Sequence, residues 1–144
     1  MTSATSTTKG GQPASAGIPV SAAMHSGVLT CGKDASLADV AALMATHRVH
    51  CIVVTDEPAT DESLWGIVSD LDLAAAASVR DLDEQTAGAT AATVVLTVGP
   101  GESVQRAAQL MTEHGTTHLV VADAARRPTG IISTLDIAAA LGEP

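Results

Sequence analysis

The chain contains its own near-copy. Residues 66–77 read GIVSDLDLAAAA and residues 130–141 read GIISTLDIAAAL, with eight identities in twelve positions. A repeat of this size cannot close a core alone, so each copy must bury its apolar face against the other, and this constrains the architecture before any single residue does. Upstream, LMATHRVHCIVVTD at 43–56 aligns with LMTEHGTTHLVVAD at 110–123, six identities in fourteen at an offset of 67. The later blocks are offset by 64, so the first copy carries three extra residues. They fall in EPATDES, between two apolar runs, where a loop tolerates insertion. At the offset of 67, Thr30, Gly32 and Ser36 fall on Thr97, Gly99 and Ser103.

Both copies read alike in secondary structure. Ser36 and Ser103 are good helix N-caps. After them Leu37, Val40, Ala41, Leu43 and Met44, and Val104, Ala107, Ala108, Leu110 and Met111, recur at helical spacing up to His47 and His114. A short apolar run follows, CIVVT or HLVVA, then a turn, then WGIVS or TGIIS, then an alanine-rich helix opening at Ser69 or Ser133. The unit is β-α-β-β-α. The strands are continuously apolar, so both faces of each sheet should be covered, and the fold class expected is α/β (α+β), with small mixed sheets flanked by helices. The division expected is a tail at 1–17, a first repeat at 18–78, a linker at 79–92 and a second repeat at 93–144.

Composition narrows the function. Residues 1–17 are rich in Ser, Thr, Gly and Ala without apolar periodicity, so disorder is expected there, and they lack the apolar region of a secretory signal. No long uncharged apolar stretch suggests a membrane span. The chain is therefore expected to be soluble and cytoplasmic. A net charge of -9 with only seven Lys and Arg repels polyanions, and a single Trp with no Phe or Tyr provides no stacking platform, so nucleic acid is not an expected partner. Cys31 and Cys51 read as reduced thiols in that compartment.

The chemistry concentrates in S-x-x-D, present as Ser69 with Asp72 and as Ser133 with Asp136. At a strand-to-helix junction this spacing has two readings. The helix N-terminus can receive a phosphate while the carboxylate takes ribose hydroxyls. Alternatively, Ser and Asp cap the helix reciprocally. Duplication copies a cap as faithfully as a site, so the repeat does not choose between them.

The tandem β-α-β-β-α order resembles a pair of cystathionine-beta-synthase (CBS) domains, a Bateman module. The likeness rests on H-x-V-x-C-I-V-V-x-D with G-I-V-S-x-x-D-L in the first copy, and on H-L-V-V-x-D with G-I-I-S-x-x-D-I in the second. It implies a pseudo-twofold pair with two clefts between the copies that take adenosyl ligands, the Asp on the ribose and the Ser on ribose or phosphate. Carried onto this sequence, one cleft joins Ser133 and Asp136 to Leu29, Val49 and His50. The other joins Ser69 and Asp72 to Leu96, Thr116 and Thr117. His50 with Cys51, and Thr117 with His118, stand just before the apolar strands, where the resemblance leads one to expect His followed by Arg. Without a guanidinium fork, di- and triphosphates should bind weakly. Of AMP, ADP, ATP and S-adenosylmethionine, the ligands implied are thus a monophosphate such as AMP, or S-adenosylmethionine, and no cofactor is required. Arg48, Arg126 and Arg127 could compensate only if their loops face a cleft.

Other residues have plainer readings. His47, His50, Cys51, Cys31 and His118 contain zinc-ligand types, but His47 and His114 recur at helix C-termini, where histidine bonds the last carbonyls, and no C-x-x-C occurs, so no metal site is expected. Trp65 has Thr129 as its counterpart, which favours edge packing over base stacking. The alanine-rich helices resemble family dimer interfaces, implying a homodimer. No nucleophile with its base is visible, so an enzyme is not expected. The resulting function is a regulatory module that senses an adenosyl ligand and signals to an effector protein. The alternative is a structural adaptor that binds no ligand. Because the strands facing the two motifs differ, the clefts should differ in affinity.

Overall fold

In the computed structural model, residues 13–57 and 61–142 are described. The elements in chain order are α1 (Val20–Ala23), β1 (His25–Ser26), β2 (Thr30–Gly32), α2 (Leu37–His47), β3 (Cys51–Glu57), β4 (Asp61–Ser69), α3 (Asp70–Ala77), α4 (Ala87–Thr90), β5 (Thr97–Val98), α5 (Val104–His114), β6 (His118–Ala122), β7 (Pro128–Ser133) and α6 (Thr134–Gly142). Each repeat is β-α-β-β-α, as β2-α2-β3-β4-α3 and β5-α5-β6-β7-α6. Ser36 Oγ accepts from the Asp39 N–H and Ser103 Oγ from the Arg106 N–H, both at 3.1 Å, fixing where α2 and α5 begin. The two helices end alike in a left-handed residue, Arg48 at φ 55° and Gly115 at φ 63°. Only the second position has the residue that adopts this conformation freely.

Two small mixed sheets result. In one, β2 pairs parallel to β3 and β3 antiparallel to β4; in the other, β5 pairs parallel to β6 and β6 antiparallel to β7. The apolar strands divide their side chains between two layers. Ile52 and Val54 pack under α2 and α3, and Leu119 and Val121 pack on the α5 side. Between them, Val53 and Val120 point the other way and meet in a central cluster with Leu64, Ile67, Ile131, Val28 and Val95. Period-two alternation along β3 and β6 thus gives each sheet one face for its own helices and one for the other repeat. Val53 and Val120 are at most 1% exposed, and burying such a side chain contributes about 1.5–3 kcal/mol.

The repeats also exchange backbone. The segment before the first repeat serves the second: β1 pairs antiparallel with β7, His25 opposite Ile131, and the Ile18 carbonyl accepts from the Val104 N–H that opens α5. The segment before the second repeat serves the first: Ala92 bridges Ile67 through two backbone bonds of 3.1 and 3.0 Å, and the Gln85 carbonyl accepts from the Leu37 N–H that opens α2. Val20 of α1 and Ala87 of α4, each 0% exposed, join the cores of the opposite repeats. The segment expected as a linker, 79–92, therefore carries α4 and a 3-10 turn at Leu82–Glu84. Of the tail expected at 1–17, residues 1–12 lie outside the described residues. Ala14–Gly17 form a 3-10 turn rather than coil, because the following Ile18 and Pro19 are held at the start of α5. Part of the three-residue insertion, 58–60, also lies outside the described residues.

The glycine that recurs in both copies, Gly66 and Gly130, has a steric cause. A Cβ on Gly130 would stand 2.5 Å from the His25 carbonyl oxygen, and one on Gly66 would stand 2.9 Å from that of Ala92. Only a residue without a side chain lets the crossing segment pair there. Replacing Gly130 with Ala should lower stability by about 1–3 kcal/mol, since the obstruction is backbone and cannot rotate aside. Urea denaturation checks this, and an unchanged midpoint would contradict it.

Candidate functional site: the cleft between the repeats

The S-x-x-D motifs are reciprocal caps in both copies. The Ser69 N–H donates to Asp72 Oδ2 at 2.9 Å and the Asp72 N–H donates to Ser69 Oγ at 3.1 Å. In the second copy the Ser133 N–H donates to Asp136 Oδ2 at 2.9 Å and the Asp136 N–H to Ser133 Oγ at 3.2 Å. Capping does not exhaust the groups. Each carboxylate uses one oxygen, Oδ2, in the cap, and each serine hydroxyl retains its own proton to donate. The cap thereby orients the groups that a ligand would meet.

Around the first motif lies a cavity of about 580 Å³, within the range of small-molecule sites. Ser69 and Asp72 form one wall, and Leu96, Thr116, Thr117 and His118 from the second repeat form the wall opposite. The cavity also takes in Cys51 and, beyond the residues singled out from sequence, Ile67, Asp70, Leu71, Ala92, Val94, Val95, His114, Gly115 and Val120. Its apolar side comes from the crossing segment at 92–96, its polar side from the mouths of α3 and β6.

The second motif is arranged differently. Asp136 is buried, and its Oδ1 lies 2.8 Å from His25 Nδ1. A smaller cavity of about 270 Å³ beside Asp136 is lined by Ile18, Ala22, Ala23, Ala139 and Ala140, with none of Leu29, Val49 or His50. Leu29 and Val49 are half-buried and pack against the edge of the first repeat's core, as Leu96 does against the second. His25 ties the Asp136 carboxylate, and His50 turns its Nδ1 to Asp70 Oδ2 at 3.0 Å. His25 and Asp70 escaped the sequence reading. Aligning at the offset of 67 beyond Leu29 would have set His25 against Ala92, and comparing the two motifs would have set Asp70 against Thr134.

The electrostatics of the first cleft follow from Asp70, His50 and His118. The hydrogen bond from His50 holds the Asp70 carboxyl below the usual carboxylate range. Burial, helped by the charge of His50, lowers His118, so its imidazole is neutral at neutral pH; Thr117 Oγ1 lies 2.9 Å from its Nδ1. Burial and the Asp70 charge push the Cys51 thiol up to about 11, which keeps it protonated. No Lys or Arg lines the cavity. Arg127 binds Asp123 in the β6–β7 turn beside Arg126, and Arg48 closes α2, so none of the three supplies the missing guanidinium. Among the described residues, no group of three His, Cys, Asp or Glu side chains could hold a metal ion. Trp65 packs locally, with Lys33 Nζ 5.1 Å from its ring centroid, outside the cavity.

A cleft lined by both copies of a β-α-β-β-α repeat agrees with comparison to known families, where a model of the CBS domain matches residues 20–79 and 90–143. The chain belongs to the CBS-domain family. It is a CBS pair, and its fold recurs in solved structures. A CBS domain protein from Pyrobaculum aerophilum complexed with AMP is 27% identical, with a TM-score of 0.75 over 87% of this chain and 98% of that one. A putative acetoin utilization protein from Vibrio cholerae is 27% identical, with a TM-score of 0.73 over 85% and 89%. The CBS domain pair of protein MJ0100, in complex with 5′-methylthioadenosine and S-adenosyl-L-methionine, shares the fold at 23% identity, with a TM-score of 0.77 over 86% and 95%. Comparison with curated proteins returns no match. No helix among the described residues is long and apolar enough to cross a membrane.

His118 gives this CBS pair a pH dependence of known sign. Its folded-state pKa lies below the ordinary 6.5, so on acidification the unfolded chain takes up this proton first. Stability should fall as pH drops below about 6.5 toward the folded-state value. Thermal melts at pH 7.5 and 5.5 should show a smaller decrease for H118Q than for the wild type; equal decreases would contradict the assignment.

Proposed function

We propose that this CBS pair is a non-catalytic regulatory module that binds an adenosyl ligand in the Ser69–Asp72 cleft. The observation that carries this reading is the cavity itself. It sets an oriented carboxylate and serine hydroxyl from one repeat opposite the apolar and threonine-rich wall of the other. Asp72 accepts the ribose hydroxyls through the oxygen not used in the cap, Ser69 assists, and Val95 and Leu96 flank the base. Thr116, Thr117 and His118 face the tail of the ligand. The relative from Pyrobaculum aerophilum, which carries AMP, supports the ligand class.

The charges select among adenosyl compounds. Asp70 and Asp72 carry negative charge into a cleft without Lys or Arg, so each added phosphate is disfavoured. AMP and S-adenosylmethionine suit the site better than ADP or ATP, the sulfonium compound having in addition a cationic tail to set beside Asp70.

Signalling requires a second surface. Leu71 and Leu135 are 76% and 75% exposed at equivalent places in the first turns of α3 and α6, and the alanines that follow present a smooth face. Apolar residues so exposed favour association. The reading is a cytoplasmic homodimer whose contacts with an effector protein respond to the ligand through differential affinity for two arrangements.

Calorimetric titration with AMP, S-adenosylmethionine and ATP tests the proposal. AMP or S-adenosylmethionine should bind more tightly than ATP, and D72A should abolish binding while sedimentation still reports a dimer. Undiminished affinity in D72A would remove the ribose assignment, and no heat with any of the three would remove adenosyl sensing.

A further inference from the structure

The two clefts differ where each receives the crossing segment. His25 and Ala92 are equivalent: they stand 67 residues apart, bridge the equivalent Ile131 and Ile67, and lie over Gly130 and Gly66. In the first cleft this position is a methyl group. Asp72 Oδ2 accepts from the Ser69 N–H, and its Oδ1 has no hydrogen-bond partner among the described residues. In the second cleft the position is an imidazole. Asp136 Oδ2 accepts from the Ser133 N–H at 2.9 Å, and its Oδ1 lies 2.8 Å from His25 Nδ1. Both oxygens of Asp136 are engaged, and its side chain is 8% exposed.

We infer that His25 is a built-in occupant of the second cleft, closing its ribose-binding carboxylate so that each chain offers one open adenosyl site, at Asp72. The inference rests on the ribose role proposed above for the S-x-x-D carboxylates. A ribose diol must donate to the carboxylate oxygen that faces the cleft, and at Asp136 His25 already holds it. The competitor is part of the chain. Even a donor on a short flexible tether acts at an effective concentration of order millimolar. His25 is held more firmly than that, by β1 pairing with β7 and by Val20, which is 0% exposed in the core of the second repeat. A free ligand must displace it at a cost in affinity that the Ala92 cleft does not impose.

Calorimetric titration with 5′-methylthioadenosine, a neutral probe with the ribose diol and no phosphate, reads the number of open sites. The wild type should bind one molecule per chain, H25A two, and A92H, which sets an imidazole beside Asp72, none. The His25 side chain is 78% exposed, so its truncation leaves no buried void, and circular dichroism verifies that each variant folds. A wild type that binds two molecules overturns the inference while leaving adenosyl binding in place. So does an H25A protein that binds no more than the wild type, or an A92H protein that binds as well. A wild type that binds none while H25A binds one keeps the closure by His25 and removes the open Asp72 site; no binding by either removes both.

Discussion

Everything in this molecule depends on a backbone crossing. Residues 18–26 pack on the second repeat and residues 85–92 on the first, each passing over a glycine in the last strand of the repeat it joins. The crossing supplies the hydrogen-bond partners for the first turns of α2 and α5, which a helix start cannot provide for itself. It also brings the apolar faces of the two sheets together around Val53 and Val120. Neither repeat is complete without residues that precede the other, so the pair is one cooperative body rather than two domains on a linker.

The same crossing shapes the clefts. Each S-x-x-D box sits at the end of the strand that receives the crossing segment, so a residue of that segment always stands near the carboxylate. Capping and binding are then not rival uses of one motif. The cap holds one carboxylate oxygen on the backbone and turns the other toward whatever the crossing segment leaves there. With alanine it leaves a cavity; with histidine it leaves an imidazole in contact with the Asp136 carboxylate. The two boxes are alike in their caps and differ in the residue that the crossing segment sets beside the carboxylate.

Much of this was legible in the sequence because the blocks that matched are those under the strictest local physics. G-h-h-S-x-x-D carries a steric requirement at the glycine and a reciprocal cap at the helix start, and it survives in both copies. The strand and helix pattern followed from periodicity, and the first cleft's Ser69, Asp72, Leu96, Thr116 and Thr117 do line one cavity. The crossing segments were illegible. Between residues 18–27 and 85–94 only Ala22 and Ala89 match, since these residues act mainly through backbone bonds that leave side chains free to vary. For that reason α4 read as linker and His25 was not set against Asp136. Asp70 was hidden in the same way, because its counterpart is Thr134 and its partner His50 lies 20 residues away.

The central claim is that the two clefts, built from the same motif, differ in access to their carboxylates. A crystal structure of the wild-type protein grown with 5′-methylthioadenosine tests it most directly. The account requires the ribose against Asp72 between Ser69 and Thr117, with the contact between His25 and Asp136 intact. Density for the nucleoside against Asp136, with His25 displaced, would contradict it.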